Sequence, residues 1–196
     1  MKNKKIFSLL FICTMIMSLC GCGNTSNIKE DTKKVIIPYS FLVLCGQNSE
    51  EDLDEMVKTA NKDKTYCNKA YKKNKDIVLV STDSQIKKYV SDNRKYMDKI
   101  LKEFKESNPK YNYEFSKDYS SLKLYFDEKI SMNLFNKIPP TITYTSLNYI
   151  LLNGSKDWHI TWEVINCHTQ KTVVSWDIPG SVGSSLSMED WNKSYE

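Results

Sequence analysis

An α+β fold is predicted from three features of the 196-residue sequence. Short runs with alternating apolar residues pair off as hairpins around "KDYS" and "CHTQ". Between them lie longer stretches with helical spacing. Capping residues and prolines mark where one kind of segment passes into the other. The expected order is β-α-β-α-β-β-α-β-β, a single domain with two antiparallel hairpins and helices packed on the sheet.

Val35 to Leu44, "VIIPYSFLVL", reads as the first strand, whose start Pro38 makes an edge or a pre-strand segment. Ser49 caps a helix whose first turn carries Glu50, Glu51 and Asp52, acids that suit the positive end of the helix dipole. Asn61 to Asp76 is lysine-rich and reads as loop, with one helical turn near Tyr66 to Tyr71. "IVLV", Ile77 to Val80, is a buried strand leading into Thr82-Asp83-Ser84-Gln85, a capping box. The helix that follows carries a stripe of Ile86, Val90, Met97, Ile100, Leu101 and Phe104 and stops at Asn108-Pro109. Asn93 falls on the stripe, as a buried asparagine or as its edge, and the edge is the expectation.

Tyr111–Ser116 and Ser121–Asp127 form the first hairpin. Ser131 to Asn153 is helical in spacing, broken or kinked at Pro139-Pro140 and stopped at Gly154. Trp158–Ile165 and Lys171–Trp176 form the second hairpin. From Pro179 the Gly/Ser-rich end reads as a flexible tail.

The first 22 residues have a different character. Lys2, Lys4 and Lys5 precede an uncharged run from Ile6 to Leu19, 14 residues against the roughly 20 that a membrane-spanning helix needs. That is the build of a signal-peptide core. The run ends in Leu19-Cys20-Gly21-Cys22. This pattern resembles the lipobox of bacterial lipoproteins, with Leu three positions before the cysteine and a small residue directly before it. Cys20 does not fit, because Leu19 is too large for the position next to the cut. The resemblance implies a diacylglyceryl group on Cys22, cleavage between Gly21 and Cys22, and a lipid anchor on the extracytoplasmic face of the cell membrane. Two chains anchor firmly, at about 0.8 kcal/mol per buried CH₂.

The expected layout is signal peptide 1–21, anchor and polar tether 22–34, folded domain 35–178 and tail 179–196. The tether, at most about 40 Å long when extended, keeps the domain near the membrane. "LNYILLNG" followed by "WEVINCHTQKTVV" is also similar to a group of small uncharacterised Gram-positive lipoproteins, a resemblance that implies no activity. The single arginine, Arg94, among 28 basic residues fits AT-biased coding.

The formal charge of +4 belongs mostly to the leader, since 25 basic residues face 24 acidic ones from Cys22 onward. A mixed-sign surface argues against nucleic acid as a partner. Cys45, Cys67 and Cys167 remain beyond the anchor, an odd number that leaves at least one thiol unpaired. They read as buried small hydrophobes, with one disulfide possible.

Catalytic and metal-binding patterns are weak. His159 and His168 are the two histidines, with Cys167 beside the second. Asp157 or Glu163 could supplement them, but no tight ligand spacing follows, and no metal or other cofactor is expected. His159 and Cys167 share a strand face about 26 Å apart, too far for a dyad. Asp118, Asp127, Glu128 and Glu163 cannot be paired across a cleft from sequence. Trp158, Trp162 and Trp176 are the candidate ligand-binding residues. Exposed, they would stack on wall glycan; buried, they are core, and core is favoured. The sequence thus predicts a membrane-anchored binding or interaction module, leaning away from an enzyme. Its partner would be another envelope protein, with cell-wall glycan binding or an unrecognised extracellular enzyme as alternatives.

Overall fold

The computed structural model describes residues 31–181 and 185–196. Gly21, Cys22 and most of the expected tether therefore lie outside the described residues. The element order is β1 (Thr32–Ile37), α1 (Tyr39–Leu44), α2 (Glu50–Asp63), β2 (Lys69–Lys73), β3 (Asp76–Thr82), α3 (Asp83–Ser107), β4 (Asn112–Phe115), β5 (Ser121–Phe126), α4 (Met132–Phe135), α5 (Ile138–Asn153), β6 (Ile160–Asn166), β7 (Thr172–Ile178) and α6 (Met188–Tyr195). The α+β class and both expected hairpins are present, but the strands form two sheets rather than one. The chain divides into two compact units, one ending at Val90 and the other beginning at Ser91, a boundary that falls inside α3. No helix among the described residues is long and apolar enough to cross a membrane.

The first unit holds a three-stranded antiparallel sheet in the order β1-β3-β2. β3 is central and carries buried Ile77, Val78 and Leu79. Pro38 ends β1 instead of sitting within a longer strand, and it forms the N-cap of α1. α1 buries Phe41 and Leu42 and leaves Val43 45% exposed, a helical and not an alternating pattern. The lysine-rich stretch expected as loop contains β2. Its Asn74-Lys75 turn places Asn74 at φ +57°, a conformation asparagine tolerates, and its lysines line an edge strand, where charge blocks further pairing. β1 begins at Thr32, three residues before the expected domain start.

Both predicted caps form. Ser49 and Asp52 make a reciprocal capping box at α2. The Gln85 side chain accepts from the Thr82 N–H at 2.9 Å, while the Gln85 N–H donates to Thr82 Oγ1 at 3.2 Å.

The second unit holds a four-stranded sheet in the order β4-β5-β6-β7. The β4–β5 and β6–β7 pairs are antiparallel hairpins, and β5 and β6 run parallel with Phe126 opposite Asn166. Leu122, Leu124 and Phe126 alternate into a core with Leu101, Phe104 and Val164. Asn93 is buried, not at the edge of the stripe, and donates to Asn148 Oδ1 at 2.8 Å. The expected break is present: α4 ends at Phe135, and Pro139 and Pro140 lie in the first turn of the separate α5, where helical positions need no N–H donor. The expected flexible tail contains α6, capped by Ser187 and Asp190 and anchored by buried Trp191, whose ring lies 5.5 Å from that of Phe126.

Candidate functional site

Because β5 and β6 are parallel neighbours in register, they end on the same side. The residues that leave them, Asp127 and Cys167, emerge next to each other. The Cys167 N–H donates to the Phe126 carbonyl at 3.0 Å, extending the ladder by one bond past the strands. His168 follows on the β6–β7 turn, its backbone N–H held at 2.9 Å by Asn166 Oδ1. The Asn166 amide in turn donates to Ser194 Oγ on α6 at 2.8 Å. A sheet joint, a turn and the C-terminal helix thus meet at one point.

Asp127 is the centre of this cluster and only 5% exposed. One carboxylate oxygen accepts from the Tyr111 hydroxyl at 2.7 Å and from the Lys129 N–H at 3.0 Å. The other lies 3.0 Å from His168 Nε2. His168 Nδ1 lies 3.1 Å from Lys110 Nζ. A charged lysine can only donate, so Nδ1 accepts and Nε2 carries the proton given to Asp127. Asp127, Cys167 and His168 each offer one ligand atom, and these atoms all lie within 4.8 Å of one another.

Burial pushes the Asp127 carboxyl up, but the Tyr111 and His168 hydrogen bonds outweigh it and hold the group below the usual carboxylate range. Burial, then the Asp127 charge, pushes the Tyr111 phenol well above its ordinary value. Burial and the same charge push the Cys167 thiol up, so it remains protonated near neutrality and is poorly suited to nucleophilic attack. At the rim, the Tyr195 hydroxyl donates to Glu128 at 2.6 Å and its phenol is pushed up to about 12. An open groove of roughly 360 Å³ shares Lys110 and Tyr111 with the cluster and is completed by Lys105, Glu114, Tyr125 and Gln170, among others.

The tryptophans do not form one platform. Trp158 is 6% exposed and lies just before β6. Trp162 and Trp176 sit directly opposite each other on β6 and β7, half-buried, with ring centroids 4.5 Å apart and planes inclined by 32°. Both pack against the core cluster, and the buried Trp162 indole N–H has no hydrogen-bond partner. His159 lies before the opposite end of β6 from Cys167, and Glu163 pairs with Lys123 at 3.1 Å. Neither joins the Asp127 cluster. Cys45, Cys67 and Cys167 are all buried free thiols.

Sequence reasoning named every member of the metal-capable trio but not their association. Asp127 and His168 are 41 residues apart, and only the parallel β5–β6 joint brings them together. No family model, curated protein or solved structure matches the chain.

Proposed function

We propose that this chain is a membrane-anchored surface lipoprotein whose folded part is a binding or protein-interaction module of the cell envelope. The observation that carries the reading is Leu19-Cys20-Gly21-Cys22 at the end of a charged-then-apolar leader. Cys22 would carry the diacylglyceryl group, and the domain would stand on the extracytoplasmic face. β1, which begins at Thr32, leaves nine residues between that cysteine and the folded part, a reach of about 30 Å at most. The module would therefore meet partners close to the membrane.

Two features of the second unit support binding over chemistry. The Asp127 carboxylate is occupied by three donors that fix its position. Burial disfavours the Cys167 thiolate. For wall glycan, support narrows to the half-buried Trp162–Trp176 pair, because Trp158 offers no open ring face.

Metabolic labelling with radioactive palmitate tests the anchor. Label is expected on the wild-type chain in the membrane fraction and absent from Cys22→Ala. Label that persists in Cys22→Ala, or a wild-type chain without label, overturns the reading. Crosslinking on intact cells then separates the envelope-protein partner from wall fragments.

A further inference from the structure

We propose that Asp127, Cys167 and His168 form a binding site for a divalent transition-metal ion, with zinc the best match. The inference is independent of how the chain reaches the membrane. It rests on the juxtaposition of a carboxylate oxygen, a sulfur and an imidazole nitrogen at the shared end of β5 and β6, within 4.8 Å of one another. Two of the three residues are buried.

The donor set has the chemistry zinc uses. Zinc takes thiolate, imidazole and carboxylate ligands, and three protein ligands leave a fourth tetrahedral position for water or another ligand. Hard cations such as magnesium and calcium prefer all-oxygen surroundings and are disfavoured by the sulfur. Tetrahedral bonds of about 2.0–2.3 Å place ligand atoms roughly 3.3–3.8 Å apart. The Asp127–His168 edge of 3.0 Å must lengthen by about 0.3 Å and an edge of 4.8 Å must shorten by about 1 Å for closure on an ion.

The surroundings provide the outer support such sites need. Tyr111 and the Lys129 N–H hold one Asp127 oxygen and leave the other directed at His168. Asn166 fixes the His168 backbone. The Cys167 backbone is tied to the sheet through Phe126. Only the imidazole is substantially exposed, with a side chain 37% accessible, which gives an ion a route in.

The binding step balances. The ion forms bonds to Cys167 Sγ, His168 Nε2 and an Asp127 oxygen. The Cys167 S–H bond breaks and its proton goes to solvent. The Nε2 proton is replaced by one on Nδ1, and the exposed Lys110 ammonium turns away from that nitrogen. Thiolate and carboxylate together cancel the charge of the ion, so the site is neutral when filled, as a half-buried site favours. No electron is transferred. One proton is released for each ion bound.

Cobalt(II) is the probe, because its bond to a thiolate gives a near-ultraviolet charge-transfer band. The sample is the reduced, metal-free full chain in detergent, with Cys13, Cys20 and Cys22 replaced by serine so that the three thiols of the described residues remain. Saturable growth of that band, release of one proton per cobalt and displacement by zinc are expected. His168→Gln alters an exposed ring and Cys167→Ser alters one atom; each is expected to abolish the band while the circular dichroism spectrum is unchanged. The absence of a band in the parent chain overturns the site. So does a band that survives either substitution. If Cys167→Ser does not fold, the His168→Gln result decides alone.

Discussion

The two sheets of this molecule are built by different rules, and the difference accounts for where its polar cluster lies. The three-stranded sheet is antiparallel throughout, so neighbouring strands end on opposite sides. Each of its strand ends passes singly into a turn or cap, as Thr82 passes into α3. The four-stranded sheet contains one parallel joint, β5 beside β6, and two strands therefore end together. Asp127 and Cys167 meet for that reason alone. Parallel joints elsewhere gather ligands at the carboxyl ends of strands by the same geometry. A single change of strand direction converts isolated polar residues into a convergent set.

The largest expected effect concerns the cover over the parallel joint. Trp191 is buried against Phe126, so Trp191→Ala is expected to destabilise the chain by about 3–5 kcal/mol in urea denaturation. Met188→Ala on the same helix, at a side chain 60% exposed, is expected to stay within about 0.5 kcal/mol. Equal effects from the two would mean that α6 does not close the sheet.

Asp127 and Asp76 give the next comparison, since each stands at the end of a strand in a different sheet. Asp127→Ala removes an acceptor from Tyr111, His168 and Lys129 and is expected to cost about 3 kcal/mol. Asp76 accepts from the Tyr39 N–H at 2.8 Å, and Asp76→Ala is expected to cost about 1 kcal/mol. Chemical denaturation of the pair measures the gap directly. A reversed order would remove the special standing of the parallel joint.

The last comparison is a pH dependence in the first unit, one that develops only above pH 9. Burial pushes the Cys45 thiol from 9.0 up to about 12. Above pH 9 the unfolded chain ionises this thiol while the folded chain keeps the proton. The contribution is complete below pH 9 and is lost as pH rises toward about 12, at about 1.4 kcal/mol per pH unit. Wild-type stability should fall more steeply than that of Cys45→Ala over this range. Parallel slopes would show that Cys45 reaches solvent.

Local signals were readable from the residues, and distant ones were not. Thr82 with Gln85, Ser49 before its acids, and the alternation of Leu122, Leu124 and Phe126 act over a few positions, so the caps and hairpins follow from the sequence. β2 was hidden because "KAYKK" has the composition of a loop, and edge strands use that composition as protection. α1 was hidden because "YSFLVL" is apolar at nearly every position and short runs of that kind fit strand or helix equally. α6 was hidden behind the Gly/Ser-rich stretch that precedes it, although Ser187 and Asp190 carry the same capping pattern that was recognised at Thr82. Asn93 looks like an edge in the sequence because its partner, Asn148, lies 55 residues away. The trio at Asp127 was missed for the same reason. Asp157 and Glu163 are near the histidines in sequence, whereas Asp127 is near one of them only through the β5–β6 pairing.

That pairing also sets an order of events as the chain folds from its N-terminal end. The three-stranded sheet needs nothing beyond Thr82, because all its strands lie within a short length of chain. β5, by contrast, has only β4 near it in sequence and is complete only with β6, which begins at Ile160. Until then β5 has an open edge of unpaired backbone groups, and the core face bearing Leu122, Leu124 and Phe126 lacks part of its cover, a combination that favours aggregation. The chain is most open to aggregation in that interval.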